Sequence, residues 1–264
     1  MSGSSLRLRR LFDATSHRSF MVAFDRTLAG GPEPYAVDSA ATVTAIAAAG
    51  ADAILLSPGL IKQHGHLLAY RGGPAIVCRV DFPFIAGFAR GRGEEFRVIA
   101  RAEEAVALGA DALVMFLILG HEEQRTWGTN VEAVARTAEA ARRVGVPLIV
   151  EAVPWGSQAP DPRDPQLVAT AVRIAAELGA DAVKTEYVGD LASMRDVVAG
   201  CPVPVLVLGG PTVDDVGALV GFTADALAAG ARGVIYGRNV WQRTDSALVS
   251  ARLRAVVHGG ADAT

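Results

Sequence analysis

The chain has 264 residues, is 51% hydrophobic and 20% charged, and carries a formal net charge of -3. This ordinary globular composition gives no reason to expect nucleic-acid binding, because the arginines are spread along the chain and matched by carboxylates. No apolar run is long and uncharged enough to span a membrane, and the polar, basic N-terminus does not form a secretory signal. Cys78 and Cys201 are far apart and outside any CxxC pattern. We therefore expect no disulfide or zinc site, and a cytoplasmic setting.

Short apolar runs alternate with helical patterns along most of the chain. Residues 1–18 are predicted to form a basic, partly ordered arm, and residues 19–264 a single domain. The apolar runs are predicted as buried strands over Ser19–Phe24, Asp52–Leu56, Ala75–Val80, Asp111–Ile118, Pro147–Val153, Ala180–Val183, Val203–Leu208 and Gly233–Tyr236. Helices are predicted over Val37–Ala49, Leu60–Leu68, Glu94–Leu108, Asn130–Val144, Pro165–Leu178, Leu191–Ala199, Val213–Ala229 and Asp245–Val257. The Gly- and Arg-rich stretch Phe82–Gly93 is predicted as a surface loop, with an active-site lid as the alternative.

A recurring Gly-Ala pair separates helix from strand at Gly50, Gly109, Gly179 and Gly230. Glycine ends a helix by adopting a left-handed backbone, and each of these is followed within a few residues by a strand. The strands are continuous apolar runs, as expected of parallel strands buried on both faces. Eight strands alternating with about eight helices predict a single (β/α)8 TIM barrel. The main alternative, a doubly wound sheet, usually has a GxGxxG turn after its first strand, which this chain lacks.

Polar residues and glycines collect where the predicted strands end, which is the face that carries the active site in a barrel. They are Asp25, Ser57, Arg79, Asp81, Glu151, Lys184, Glu186, Gly209, Gly210, Gly237 and Arg238. We expect Ser57 and Arg79 to contact a substrate. The paired glycines and Arg238 follow strands seven and eight, where these barrels commonly hold a phosphate through bare backbone N–H groups.

Lys184 ends the sixth predicted strand and is one of only two lysines, the other being Lys62. Arginine can replace lysine in salt bridges, but it does not become a neutral nucleophile. A buried lysine, in contrast, favours the neutral amine, which can attack a ketone and form an iminium ion. The iminium withdraws electrons from an adjacent C–C bond, and Asp25 is positioned to shuttle the protons that the reaction requires. A surface lysine after a strand is the simpler alternative.

These motifs resemble the class I aldolase barrels of the archaeal-type fructose-bisphosphate aldolase (DhnA) group, which includes heptulosonate-type synthases and the autoinducer-2 phosphate thiolase. The resemblance covers nearly the whole chain, and its most specific segments are Val183-Lys-Thr-Glu-Tyr187 and Gly237-Arg-Asn-Val-Trp-Gln242. It implies that Lys184 forms the Schiff base and that Asp25 is the acid after strand one. It also implies that Gly209, Gly210, Gly237 and Arg238 hold the substrate phosphate, and that the protein is a homo-oligomer.

Two segments depart from the group's pattern. Asp25-Arg26-Thr27 stands where the group usually has Asp-His-Gly. Val153-Pro-Trp-Gly156 replaces a Tyr-Pro-Arg-Gly motif whose tyrosine donates a proton. Glu151, which has the same strand parity as position 153, and Glu186 are the candidate substitutes. The missing tyrosine weakens the expectation that fructose bisphosphate itself is the substrate.

The histidines form no metal-ligand set, and class I aldolase chemistry needs no metal, so we predict neither a metal nor a cofactor. The predicted function is a metal-independent aldolase that acts on a phosphorylated keto sugar or a related phosphorylated ketone. Two alternatives stay open. One is a thiolase-like acyltransferase that uses coenzyme A and a phosphorylated dione, and the other is a non-catalytic barrel that binds a phosphosugar.

Overall fold

The computed structural model of the chain describes residues 2–31, 33–34, 36–84 and 95–259. Eight parallel strands close into a barrel in the order β1-β2-β3-β6-β7-β8-β9-β10, and β10 pairs with β1. The barrel strands are β1 Ser19–Phe24, β2 Ala53–Leu56, β3 Ala75–Arg79, β6 Ala112–Ile118, β7 Leu148–Val153, β8 Ala182–Thr185, β9 Val205–Leu208 and β10 Gly233–Tyr236. Their residues are almost all buried, so the prediction of a (β/α)8 barrel is confirmed.

Helices surround the barrel and connect its strands. They are α1 Gly3–Arg10, α2 Thr27–Gly30, α3 Ser39–Ala48, α4 Pro58–His64, α5 Ala102–Ala107, α6 Gln124–Val144, α7 Pro165–Glu177, α8 Leu191–Ala199, α9 Val216–Ala228, α10 Arg238–Trp241 and α11 Ser246–His258. A short 3-10 helix over Gly65–Leu68 follows α4. The predicted glycine stops are confirmed at Gly50 and Gly179, whose φ angles are 79° and 104°. No helix among the described residues is long and apolar enough to cross a membrane.

Side chains inside the barrel alternate with side chains that pack against the helices. Met21 and Ala23, for example, belong to a small interior cluster, whereas Phe20 and Val22 belong to the larger cluster between barrel and helices. This two-residue period sets which side chains reach the open end of the barrel. Positions 25, 79, 151 and 184 continue the inward-facing series of their strands.

Helix α1 lies at the end of the barrel where the strands begin. Leu11, just after this helix, is fully buried in the interior cluster, and Leu8 and Phe12 pack against the same cluster. The hydroxyl of Ser19 donates to the carbonyl of Leu11 and fixes the segment to β1. The residues predicted as a partly ordered arm therefore include a helix whose apolar residues cover the floor of the barrel.

A β-hairpin lies between β3 and β6 in the chain, outside the barrel sheet. The sequence predicted a helix over Glu94–Leu108 in this region. Strand β4, Asp81–Phe84, pairs antiparallel with β5, Glu95–Val98, and α5 begins only after Arg101. The helix prediction was wrong in its first half because pairing with β4 and burial of Phe96 outweigh the helical preference of this segment. The predicted loop Phe82–Gly93 begins inside β4, and its residues 85–93 lie outside the described part of the chain.

Candidate active site

A cavity of about 130 Å³ opens at the ends of the barrel strands. The strand-end residues selected from the sequence that line it are Asp25, Arg79, Asp81, Glu151, Lys184, Gly209, Gly210, Gly237 and Arg238. They lie at or just after the ends of six barrel strands, β1, β3, β7, β8, β9 and β10, and they meet because parallel strands present their carboxyl ends at one edge. The geometry thus brings together most of the residues that the sequence analysis selected.

Arg79 lies at the centre of a buried cluster of charges. Its Nε is 2.8 Å from Asp25 Oδ2, its Nη1 is 3.2 Å from Asp81 Oδ1, and its Nη2 contacts Glu151 Oε2. The Arg79 side chain is only 3% exposed. One guanidinium fork thus orients three carboxylates, which is the geometry for which arginine is suited and lysine is not. Arg79, which we expected to contact substrate, lines the cavity, and its nitrogens are engaged by these carboxylates.

Lys184 points into the cavity from β8 and pairs with Glu151 on the neighbouring strand. Lys184 Nζ lies 2.6 Å from Glu151 Oε1, and the two side chains are 7% and 3% exposed. The register places the two residues directly side by side in the β7–β8 ladder. Glu151 therefore bridges two cations, with one carboxylate oxygen on Lys184 and the other on Arg79.

The pKa values of Glu151 and Asp81 are shifted in opposite directions, because burial and neighbouring charges act on the two groups with different weight. Burial alone would raise the pKa of Glu151, but the charges of Lys184 and Arg79 outweigh it and hold the pKa below its usual range. Burial raises the pKa of Asp81 to about 6, and the Arg79 charge only partly opposes this. Glu151 is consequently the ionised partner of Lys184, while Asp81 changes protonation state near pH 6.

Aromatic rings form the apolar wall of the cavity. The Arg79 guanidinium lies over the Phe116 ring, 4.2 Å from its centroid, and the Phe116 and Trp155 ring centroids are 5.6 Å apart. Trp155 and Trp241 both line the cavity, where the sequence placed them beside the mouth. Trp241 Nε1 donates to the Ala23 carbonyl at 2.9 Å and joins the last loop to β1.

Two sequence-selected residues lie outside the cavity lining. Glu186 is buried behind Trp155 and accepts a hydrogen bond from Trp155 Nε1 at 2.9 Å. Burial raises the Glu186 pKa, against the effect of this hydrogen bond. Ser57 caps helix α4, where its hydroxyl accepts from the Leu60 N–H at 3.4 Å. Ser57, which we expected to contact a substrate, is thus a helix N-cap, because a serine before proline at a helix start satisfies an otherwise unpaired N–H.

The two glycine loops lie at the other side of the cavity and are held together by Asn239. Its amide donates to the carbonyls of Gly209 and Pro211 at 2.8 and 2.9 Å, and its oxygen accepts from the Val213 N–H at 2.7 Å. A Cβ atom at Gly209 would lie 3.1 Å from Asn239 Nδ2, so the loop packs tightly only with glycine there. Arg238 Nη2 donates to the Gly210 carbonyl at 3.2 Å.

Three residues that shape this site were not selected from the sequence: Arg26, Phe116 and Asn239. Asp81 was noted at the end of strand three but was given no role, and it keeps the inward-facing parity of Arg79. Asn239 was visible only as the last residue of the Gly-Arg-Asn segment. The side chain of Phe116 had no distinguishing signal within its apolar strand.

Known proteins resemble this chain along most of its length. Residues 19–243 match the family model described as "DeoC/LacD family aldolase". A 2-amino-4,5-dihydroxy-6-oxo-7-(phosphonooxy)heptanoate synthase from Streptomyces griseus is 35% identical over 96% of this chain and 90% of its own length. A class 1 fructose-bisphosphate aldolase from Thermoproteus tenax is 31% identical over 98% of this chain and 97% of its own. A solved archaeal fructose-1,6-bisphosphate aldolase, whose catalytic lysine is covalently bound to the carbinolamine intermediate, superposes with a TM-score of 0.85. It is 29% identical, and the match covers 97% of this chain and 99% of that one.

Proposed function

We propose, on the premise that the chain belongs to the DeoC/LacD aldolase family, that Lys184 is the residue through which it forms a Schiff base. The protein is an aldolase of the class I, Schiff-base type, and relatives of this chain are aldolases that act on phosphorylated substrates. The observation that carries the assignment is the buried pair of Lys184 and Glu151 at the cavity wall. The other lysine, Lys62, is exposed on helix α4.

The roles of the acids follow from their positions around Lys184. The Lys184 ammonium gives a proton to a carboxylate of the site, and the neutral amine attacks the ketone carbon. Return of that proton to the carbinolamine hydroxyl releases water and leaves a cationic iminium. Glu151, ionised and in contact with the nitrogen, is the counter-ion that stabilises this cation. Asp25 lines the cavity and is held by Arg79 through one carboxylate oxygen, so it is suited to carry protons to and from the substrate.

The C–C bond step uses the iminium as an electron sink. In the cleavage direction, a base removes the proton of the hydroxyl on the carbon β to the iminium. The C–C bond then breaks, its electrons convert the iminium to an enamine, and an aldehyde leaves. Protonation of the enamine carbon and addition of water release the ketone and restore the lysine. Asp25 is the proposed proton carrier of this sequence, and Glu186 acts through Trp155.

A phosphate on the ketone is the proposed anchor of the substrate. Gly209, Gly210, Gly237 and Arg238 line the side of the cavity opposite the Phe116 and Trp155 wall, and glycine leaves backbone N–H groups accessible to an anion. The names of the Streptomyces griseus and Thermoproteus tenax relatives both denote products or substrates that are phosphorylated. In the former, the phosphate is on C7 beside the C6 ketone, and an aldol cleavage between C4 and C5 would yield dihydroxyacetone phosphate. We propose the same three-carbon ketone as the donor here.

The experiment is a borohydride trap read by intact-mass spectrometry. Dihydroxyacetone phosphate and sodium borohydride are added to the wild type, to Lys184→Ala and to Lys62→Ala, the matched control for the other lysine. We expect one reduced adduct in the wild type and in Lys62→Ala, mapped to the peptide that contains Lys184. An adduct that persists in Lys184→Ala, or none with a panel of phosphorylated ketones, would refute the assignment.

Val153 gives a specific reason to test the thiolase-like alternative, because no tyrosine ends β7 at this position. In an aldolase, the enamine carbon forms a bond to a proton during cleavage or to the carbon of an aldehyde during synthesis. A thiolase transfers an acyl group to coenzyme A. Product analysis with and without coenzyme A separates the two. An acyl-coenzyme A product would replace the aldolase assignment.

We further propose that the protein is cytoplasmic and assembles as a homo-oligomer. Both cysteines are free and buried, which suits a reducing compartment. Val98 and Ile99, on and just after β5, are exposed apolar residues of the kind that subunit contacts cover. Light scattering of the purified protein tests the assembly, and a monomer at micromolar concentration would refute it.

A further inference from the structure

Two arginines face the same end of the cavity. Arg26 follows β1 and precedes α2, and Arg238 begins α10, yet both line the cavity together with Gly209, Gly210 and Gly237. The cavity is about 130 Å³, and both arginines contribute to its lining. Only Arg238 was selected from the sequence.

This pair is electrostatically unfavourable when the cavity is empty. Burial lowers the pKa of Arg238, and the nearby charge of Arg26 lowers it further, with Glu33 opposing. Like charges in a partly buried site destabilise the protein, unless an anion binds between them. A pair of cations that faces a glycine-lined cavity is therefore typical of an anion site.

Both guanidinium groups are held in place by other contacts. Arg26 Nε lies 2.6 Å from Glu33 Oε1, and these side chains are only 28% and 14% exposed. Arg238 Nη2 is fixed on the Gly210 carbonyl at 3.2 Å. Preorganised forks bind the oxygens of a phosphate with little loss of side-chain entropy. A surface ion pair between Arg26 and Glu33 would not require Arg26 to line the cavity.

We propose that Arg26 and Arg238 clamp the phosphate dianion of the donor ketone, and that Arg26 determines the selectivity for phosphorylated over unphosphorylated ketones. Glu33 is the positioning residue of Arg26. This inference rests on the proposed function for the identity of the ketone, but not for the binding of its phosphate.

The experiment compares two ketones that differ only in the phosphate. Half-saturating concentrations of dihydroxyacetone phosphate and of dihydroxyacetone are measured from the yield of borohydride adduct. The variants are Arg26→Gln, Arg26→Lys and the control Arg101→Gln, which removes an exposed arginine paired with Glu104. We expect Arg26→Gln to raise the half-saturating concentration of the phosphorylated ketone by about 10- to 100-fold and to leave that of dihydroxyacetone within about twofold. The half-saturating concentration of the phosphorylated ketone should be intermediate for Arg26→Lys and equal to that of the wild type for Arg101→Gln.

A second measurement separates the clamp from the Schiff base. Calorimetric binding of dihydroxyacetone phosphate to Lys184→Ala, with and without Arg26→Gln, requires no covalent step. A loss of affinity on removing Arg26 there would support the clamp even if the wild type forms no adduct, and only the Schiff-base assignment would then fail. An unchanged affinity, or an equal effect of Arg26→Gln on both ketones in the trap, would overturn the clamp.

Discussion

Lys184 and Glu151 form an ion pair of 2.6 Å between adjacent strands, and neither side chain is more than 7% exposed. The carboxylate is also bound to Arg79, so its position is fixed on both sides before any substrate enters. Such preorganised charge beside a developing cation is the largest contribution that many active sites make to catalysis.

Removal of the Glu151 charge should slow formation of the iminium. Glu151→Gln leaves the cation at position 184 without a counter-ion, and we expect the rate of adduct formation to fall by about 10²- to 10³-fold. The rate is followed by quenching the reaction with borohydride at successive times. Glu139→Gln, which removes an exposed carboxylate paired with Arg143, is the control and should leave the rate unchanged. A rate for Glu151→Gln within threefold of the wild type would contradict the counter-ion role.

Asp81 should make stability depend on pH between about 4 and 6. Its pKa is raised by burial from 3.8 to about 6, so between these values the folded state binds more protons than the unfolded state. The free energy of unfolding should therefore fall as the pH rises through this window, by up to about 3 kcal/mol for this one group. Urea unfolding at several pH values measures it.

The contribution of Asp81 is isolated by difference between variants. Asp81→Asn lacks the titrating group, so the decrease in the free energy of unfolding between pH 4 and pH 6 should be smaller in this variant than in the wild type. Asp196→Asn, at an exposed position of α8, should keep the wild-type profile. Parallel profiles for the wild type and Asp81→Asn would show that Asp81 does not titrate in this range.

Glu186 should act by holding Trp155 and not by transferring a proton. Glutamine keeps an oxygen for the Trp155 N–H, whereas alanine removes it. We expect Glu186→Gln to keep kcat within about threefold and Glu186→Ala to lower it by about tenfold, the loss expected when one positioning hydrogen bond is removed. Steady-state kinetics with the cognate substrates distinguish the roles. A loss of 10² or more in Glu186→Gln would restore Glu186 as the substitute proton donor.

Loss of the Asn239 side chain should lower both the stability of the fold and the affinity for phosphate, because it holds the loop that contains Gly209. Asn239→Ala leaves two carbonyls and one N–H without their partner, which should cost about 2–3 kcal/mol. The loop should also bind phosphate less well, so adduct formation should need more dihydroxyacetone phosphate but not more dihydroxyacetone. Asn130→Ala removes a comparable buried amide, between the backbone of Phe116 and Ile118. The Asn130→Ala control should lose stability, but the ratio of the half-saturating concentrations of dihydroxyacetone phosphate and dihydroxyacetone should not change.

The inward-facing residues of the site were predictable from the sequence because strand period and barrel topology determine them. Lys184 and Glu151 were placed at strand ends on this basis, and the structure brings them into contact. The partners of Arg79 were not predictable, since Asp25 and Glu151 are 54 and 72 positions away and their pairing depends on barrel closure. The misassigned segment at Glu95 has a similar cause, because a local helical preference gave way to pairing with a strand more than ten residues earlier.

The closed floor of the barrel determines the order in which reactants meet. Leu11 and its neighbours seal the end where the strands begin, so the ketone and the aldehyde share the opening at the strand carboxyl ends. In the proposed mechanism, the ketone that becomes the iminium would bind deepest, against Lys184, and the aldehyde would enter after it and leave before it. We therefore expect sequential synthesis in which the ketone binds first, and cleavage in which the aldehyde is the first product released. The free ketone then competes with the keto sugar for the same amine.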